Sequence, residues 1–315
     1  MDSVKQMAKE YSVLENVDNG SKSSFQRSAR LLQSIWRVEH QYDMGQVPNR
    51  NGPRPIGSRL PMPWAQESLA NYLTENIRNV VRSEVLDPVK SKGKLYGKPR
   101  IFNDLLSSQP LCFNLFGELT QDLQLATSVM KNLTAGKVET VTRIEFEWSP
   151  GRGDPRYTGD RSAFDVYVEF LTPTNTKGFL GIEVKYHENL IGKASPHKER
   201  YDEIARYMDC FETANLDELG AQPLQQIWRD HMLAGIHKIQ NKFDEGIFVF
   251  LYPVKNKHCS EAMEKYKRCL TTTDTFAEWT IESVANQVKQ ATDDDWIDLF
   301  TDRYLDFNKI PDLNL

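Results

Sequence analysis

The stretch FDVYVEFLTPTNTKGFLGIEVKYHE, residues 164–188, decides the architecture. Its first part alternates. Phe164, Val166, Val168 and Phe170 fall on one face of a strand, and Asp165, Tyr167 and Glu169 fall on the other. From Phe179 to Tyr186 the pattern repeats, with Leu180, Ile182, Val184 and Tyr186 on one side and Glu183 and Lys185 together on the opposite side. A short polar link, Thr172 to Gly178, joins the two, so the pair predicts a hairpin that brings Asp165 close to Glu183 and Lys185. Charges inside such apolar strands cost free energy unless they are paired or functional.

Working outward, Thr140 to Trp148 alternates as an earlier strand, and Ser149 to Gly159 is a Pro/Gly turn region. Phe113 to Met130 reads as a helix before it. On the other side, Lys198 to Ile239 reads as a long helical region broken near Gly220 and Pro223. Ile247 to Tyr252 is a β-branched and aromatic strand. The order helix, three strands, helix, strand predicts an α/β fold, a mixed central sheet flanked by helices. Residues 111–255 form this expected core. Residues 1–110 add an N-terminal helical region, and 256–315 add a C-terminal one, with Val284 to Phe307 helical.

The N-terminal region holds a helix over Phe25 to His40 and a second with Leu69, Tyr72, Leu73, Ile77, Val80 and Val81 at helical spacing. Between them, Gly45 to Pro63 carries five of the fifteen prolines and three arginines (Arg50, Arg54, Arg59) but no acid. A basic loop follows, with Lys90, Lys92, Lys94, Lys98 and Arg100 and again no acid. A solvated loop is the commoner meaning of such a run. A nucleic-acid-binding arm on the phosphate backbone is the sharper one, supplying affinity rather than sequence readout.

At 315 residues the chain is long enough for one large or two ordinary domains and needs no disulfide or metal staple. The net charge of −5 is concentrated in Gln290 to Leu315, where seven Asp face two cations, so the remainder is near neutral and has room for basic patches. Cys112, Cys210, Cys259 and Cys269 are widely spaced, which fits free thiols in a reducing compartment. With an N-terminus that lacks a basic start and an apolar run, this predicts a cytoplasmic protein without membrane segments.

The chemistry that wants two carboxylates and a lysine together is metal-assisted phosphodiester hydrolysis. Carboxylate oxygens suit Mg²⁺, with Mn²⁺ as a substitute. The lysine orients or deprotonates a water and stabilises charge on the phosphate. On spacing alone, a surface-facing ion pair between Glu183 or Asp165 and Lys185, common on half-exposed sheets, is the commoner meaning. Glu147 at the end of the first strand, or Glu118 on the preceding helix, is a candidate further acid. Gln226 and Arg229, three apart on the later helix, are candidates to orient a carboxylate, a water or a phosphate. His187 is a weak supporting candidate, and His231 and His237 read as helix surface or core. No His/Cys zinc pattern, P-loop or Gly-x-Ser-x-Gly elbow occurs.

FDVYV followed by GIEVKYHE resembles the D…(E)-x-K signature of the PD-(D/E)xK nuclease superfamily, with Phe164 where that name has Pro. SLANYLTENIRNVV, NDLLSSQPLCFNLFGEL, FEWSPGRGDPRYTGDRSAFDVYV, QQIWRDHMLA and WIDLFTDRYLDF are similar to blocks of a bacterial restriction-endonuclease-like subfamily. The resemblance spans roughly Phe25 to Phe307. It implies metal binding by Asp165 and Glu183, a catalytic Lys185, and a cytoplasmic Mg²⁺-dependent nuclease acting on DNA. A homodimer that cuts two strands is a family expectation. Two other readings stay open: a nuclease-fold protein that binds nucleic acid or serves in assembly with little catalysis, and an RNA-directed nuclease.

Overall fold

The computed structural model describes residues 2–13, 24–192 and 194–310. Two compact units divide the chain: Met1–Glu118 with Asp293–Leu315, and Leu119–Thr292.

The first unit is mainly helical. The expected helix over Leu69 to Val81 forms only from Glu75; Leu69 to Thr74 is a turn that follows a separate short helix, Trp64–Ser68. Leu69 takes a left-handed conformation (φ 51°) that closes the Trp64–Ser68 helix. Thr74 then starts the Glu75–Val81 helix, its Oγ1 accepting the Ile77 N–H at 3.1 Å. Within the irregular Pro/Arg segment, β1 (Gly45–Val47) and β2 (Arg54–Ile56) pair antiparallel. The Trp296–Tyr304 helix is tied to the Ser24–Glu39 helix by a fully buried Arg303. Its Nε donates to Gln33 Oε1 at 3.0 Å, its Nη1 to the Asn71 carbonyl at 2.7 Å, and its guanidinium lies 4.1 Å over the Trp36 ring. Burial of this charge is tolerated because its donors are occupied and an aromatic face covers it.

The second unit is a five-stranded mixed sheet in the order β3 (Thr140–Trp148), β4 (Phe164–Leu171), β5 (Lys177–Val184), β6 (Glu245–Tyr252), β7 (Phe276–Thr280). The first three strands are antiparallel neighbours; β5, β6 and β7 run parallel. The Gln225–Gln240 helix makes the crossover from β5 to β6 and packs on the sheet. Trp228, Met232 and Leu233 of that helix join Tyr167, Phe179, Phe248 and Phe250 of the strands in one apolar cluster.

Three more features depart from the sequence reading. Phe113 to Met130 is broken by Asp122, whose Oδ1 accepts the N–H groups of Gln124 and Leu125 at 2.9 Å and so starts a new helix, Leu123–Leu133. Val284 to Phe307 is likewise two helices, Ile281–Ala291 and Trp296–Tyr304, separated by the acidic run at Asp293. A fifth strand, β7, adds to the parallel edge; its sequence, FAEWT, does not alternate and so gives no period of two.

Phe164 also leaves its expected face. Its ring lies with Tyr167 (6.3 Å between centroids) and Phe179 (6.4 Å), on the helix side of the sheet. Glu147 on the neighbouring strand is left-handed (φ 49°), which breaks the period of two there, and Trp148 pairs with Phe164. Gly181 makes room: a Cβ at that position would come within 2.5 Å of the Phe164 ring.

Candidate active site

The β4–β5 ladder has its last register pair at Val166 and Ile182. Two residues on, the Val184 N–H goes to a side chain instead of a carbonyl: Asp165 Oδ2 accepts it at 2.8 Å. The sequence thus places an acid where the strands diverge, and the bond fixes that carboxyl next to the Glu183–Lys185 segment.

Glu183 and Lys185 share the helix-facing side of β5, as the alternation predicts. They do not lie in an open, solvated cleft. Glu183 is 5% exposed and Lys185 8%, because a strand paired on both sides and covered by its crossover helix is buried on both faces. Lys185 Nζ donates to Glu183 Oε1 at 2.5 Å. Gln226 Nε2 donates to the same oxygen at 2.6 Å. Among the described residues, no hydrogen bond falls on Glu183 Oε2 or Asp165 Oδ1.

The electrostatics follow from crowding. Burial, and next the charge of Glu183, push the Asp165 carboxyl well above the usual carboxylate range, with Lys185 pulling the other way and Glu147 adding to the rise. Burial opposes the charge on Lys185, but Glu183, Glu188 and Asp165 outweigh it and raise its pKa, so the amine is held as a cation.

Arg229 does not reach Glu183. Its Nε donates to Asp160 Oδ2 at 2.8 Å, its Nη1 to Ser195 Oγ and its Nη2 to Ser162 Oγ, each at 3.0 Å. Asp160 also accepts from Thr158 Oγ1, the Ser162 N–H and Tyr201 OH, each at 2.8 Å. The loop before β4 is therefore clamped to the crossover helix. Burial raises the Asp160 pKa, yet Arg229 and these donors more than reverse that and hold it below the ordinary value.

Glu147 accepts from Arg152 Nη2 at 2.5 Å, and Arg152 Nη1 donates to the Arg161 carbonyl at 2.9 Å. Glu118 is engaged in the first unit, where its carboxylate accepts from Thr74 Oγ1 and from Asn76 Nδ2 (3.1 Å). In the basic loop, Lys94 Nζ pairs with Glu84 at 2.6 Å, and Lys90 Nζ reaches Ser83 Oγ at 2.8 Å. Lys92, Lys98 and Arg100 are exposed. His187 lies 4.0 Å from Glu188. His231 and His237 are buried in the core.

Sequence reasoning passed over Asp160, Asp230 and Asn256. Asn256 Nδ2 donates to the carbonyls of Tyr186 and Glu188 at 3.0 Å, pinning the turn after β5. Its place before the Lys257–Arg268 helix, which it caps, was the available signal. For Asp230 the signal was an acid amid the apolar residues of IWRDHML.

Two carboxylates with oxygen atoms unoccupied by hydrogen bonds are hard donors of the kind a divalent cation takes. Among the described residues, no group of three or more His, Cys, Asp or Glu could hold a metal ion; an ion held by Asp165 and Glu183 would need water to complete its shell. No described helix is long and apolar enough to cross a membrane.

A mixed five-stranded sheet flanked by helices, with an aspartate on one strand facing a Glu-x-Lys on the next, is the restriction-endonuclease-like fold. The chain belongs to the PD-(D/E)XK nuclease superfamily, whose family model matches residues 18–306. Membership implies a nuclease acting on nucleic acid, and members generally use divalent metals. No curated protein and no solved structure matches the chain.

Proposed function

We propose that this protein hydrolyses phosphodiester bonds in DNA, using Mg²⁺, or Mn²⁺ in its place, held by Asp165 and Glu183. The observation that carries the reading is the convergence of Lys185 Nζ and Gln226 Nε2 on Glu183 Oε1, beside an Asp165 held by the Val184 N–H. A bound cation would polarise the phosphate and lower the pKa of a water it holds. The chain does the rest. Gln226 fixes the rotamer of Glu183. Lys185 orients the attacking water and stabilises negative charge on the phosphate. Arg229 and Asp160 act as positioning residues that hold the loop leading into Asp165. Glu147, whose charge is felt at Asp165, is the candidate further acid. Lys92, Lys98 and Arg100 would supply backbone contacts.

The test is incubation of the purified protein with supercoiled, linear and single-stranded DNA and with RNA, with and without Mg²⁺ or Mn²⁺. Metal-dependent cutting of DNA that Glu183→Ala abolishes supports the reading. Cutting of RNA alone would move the substrate. Binding without cutting under either metal would make this a nuclease-fold binding protein.

A further inference from the structure

Asp230 lies one helical turn beyond Gln226 on the Gln225–Gln240 helix, so the two side chains project from the same face (i, i+4). Gln226 uses that face to reach Glu183. Asp230 is 4% exposed, and its Oδ2 is buried without a hydrogen-bond partner among the described residues. Its neighbour Arg229 turns away, with its donors on Asp160, Ser162 and Ser195. A buried carboxyl oxygen left unmatched forfeits its hydration without a compensating hydrogen bond. Such a group in a folded chain calls for a ligand or a function. Burial, and next the charge of Glu183, push the Asp230 carboxyl well above the usual carboxylate range, with Arg229 and Lys185 pulling the other way and Asp160 adding to the rise.

We propose that Asp230 is an outer carboxylate of the cation site, holding through a water the ion that Asp165 and Glu183 bind directly. This rests on the metal reading given above. A water stands between because no described group of three or more acids, His or Cys could hold a metal ion directly. It also fits Mg²⁺, which keeps several waters and takes only one or two carboxylates. Acceptors of this kind orient the shell, and their loss typically weakens metal binding about 10–100-fold. Asp230 is therefore a positioning residue, not one that touches the reacting phosphate.

The experiment is calorimetric titration of Mn²⁺ into the full-length protein without nucleic acid, for wild type, Glu183→Ala, Asp230→Ala and Asp230→Asn. Thermal melts of each are recorded without and with Mn²⁺. Wild type is expected to bind and Glu183→Ala to lose binding. Asp230→Ala should bind about 10–100-fold more weakly. Metal-free Asp230→Asn, which keeps the shape and drops the charge, should melt no lower than wild type while its Mn²⁺-induced rise in Tm shrinks. If Asp230→Ala fails to fold, the Asp230→Asn titration decides alone. Wild-type Mn²⁺ affinity in both variants, or a lower metal-free Tm in Asp230→Asn with affinity intact, makes Asp230 a packing residue and overturns the proposal. If wild type itself binds no Mn²⁺, the metal reading of Asp165 and Glu183 fails, and this assignment goes with it.

Discussion

Gln226 Nε2 sits 2.6 Å from Glu183 Oε1, and Lys185 Nζ meets the same oxygen at 2.5 Å. One carboxylate oxygen thus takes two donors, one from two residues further along the chain, just past the end of β5, and one from the crossover helix. The other oxygen takes none from the described residues, which is the asymmetry a ligand oxygen needs. The crossover helix is part of the site and does more than cover the sheet.

Lys185→Met should lower both stability and cleavage. Lys185 and Glu183 side chains are only 10% and 7% exposed, so removing the cation leaves buried acids facing each other. Breaking such a pair typically costs about 3–5 kcal/mol. The metal-free variant should therefore melt well below wild type and regain part of the loss on addition of Mg²⁺, since a ligand of the native state stabilises it. Cleavage should drop roughly 10²–10⁴-fold. Wild-type cutting by this variant would reduce Lys185 to an ion-pair partner. Glu183→Gln, which removes the charge and keeps the shape, should lose metal affinity and cleavage together.

Much of this was readable from residues. The period of two in β3, β4 and β5 carries the hairpins, and it placed Glu183 and Lys185 on one face. It failed where β3 ends and β4 begins: Glu147 is left-handed, and the Trp148 and Phe164 rings stack there with Tyr167 on the helix side. It also could not show burial: Gln226, on the crossover helix that covers the site, reaches Glu183 from over forty positions away in sequence. Helix breaks at Thr74 and Asp122 were signalled by capping residues, yet the continuous apolar spacing across them masked the signal. Arg229 was found, but its partner was not, since Asp160 lies in a turn with no period to place it.

The Asp160–Arg229 clamp has a pH signature with a definite sign. The folded pKa of Asp160 lies below its ordinary value of 3.8. Its contribution to stability is thus fully present above 3.8 and is lost as pH falls through the folded value. Asp160→Asn should flatten the acid limb of the stability curve and cost up to about 3–5 kcal/mol near neutral pH. Arg229→Lys should fail to restore wild-type stability, because one ammonium cannot span the Asp160, Ser162 and Ser195 acceptors that the planar fork reaches. Urea titrations across the acid range check both. Full stability in Arg229→Lys would mean that charge alone, not the fork, holds the loop.

The basic loop divides into two groups. Lys94 is paired with Glu84, whereas Lys92 and Lys98 are exposed. If the loop tracks a nucleic-acid backbone, Lys92→Ala with Lys98→Ala should weaken binding to all sequences alike. The double variant should also flatten the salt dependence by roughly one unit per lost phosphate contact. Lys94→Ala should leave the slope nearly unchanged. Equal slopes for wild type and the double variant would make this an ordinary solvated loop.

His231 supplies the last prediction, one of fold stability independent of catalysis. Its Nδ1 lies 2.9 Å from Tyr266 OH and its Nε2 2.9 Å from Thr275 Oγ1, inside the cluster formed by Phe248, Phe276 and Tyr266. Both ring nitrogens are matched by hydroxyls, which can donate or accept, so the neutral ring is satisfied, and no charge among the described residues favours a charged one there. Burial drives its pKa from 6.5 to about 3. The unfolded chain therefore binds a proton that the folded one refuses, and stability falls as pH drops below 6.5 towards that folded value. The slope from this group approaches about 1.4 kcal/mol per pH unit. Other buried groups titrate in the same range, some with opposite sign, so the informative quantity is a difference. Between about pH 6.5 and pH 5, the stability of His231→Gln should fall less steeply than that of wild type, by up to that slope. Urea midpoints measured in parallel across this interval give the comparison. Identical slopes would mean that His231 takes up its proton in the folded state, with the surrounding hydroxyls and rings yielding to accommodate the charge.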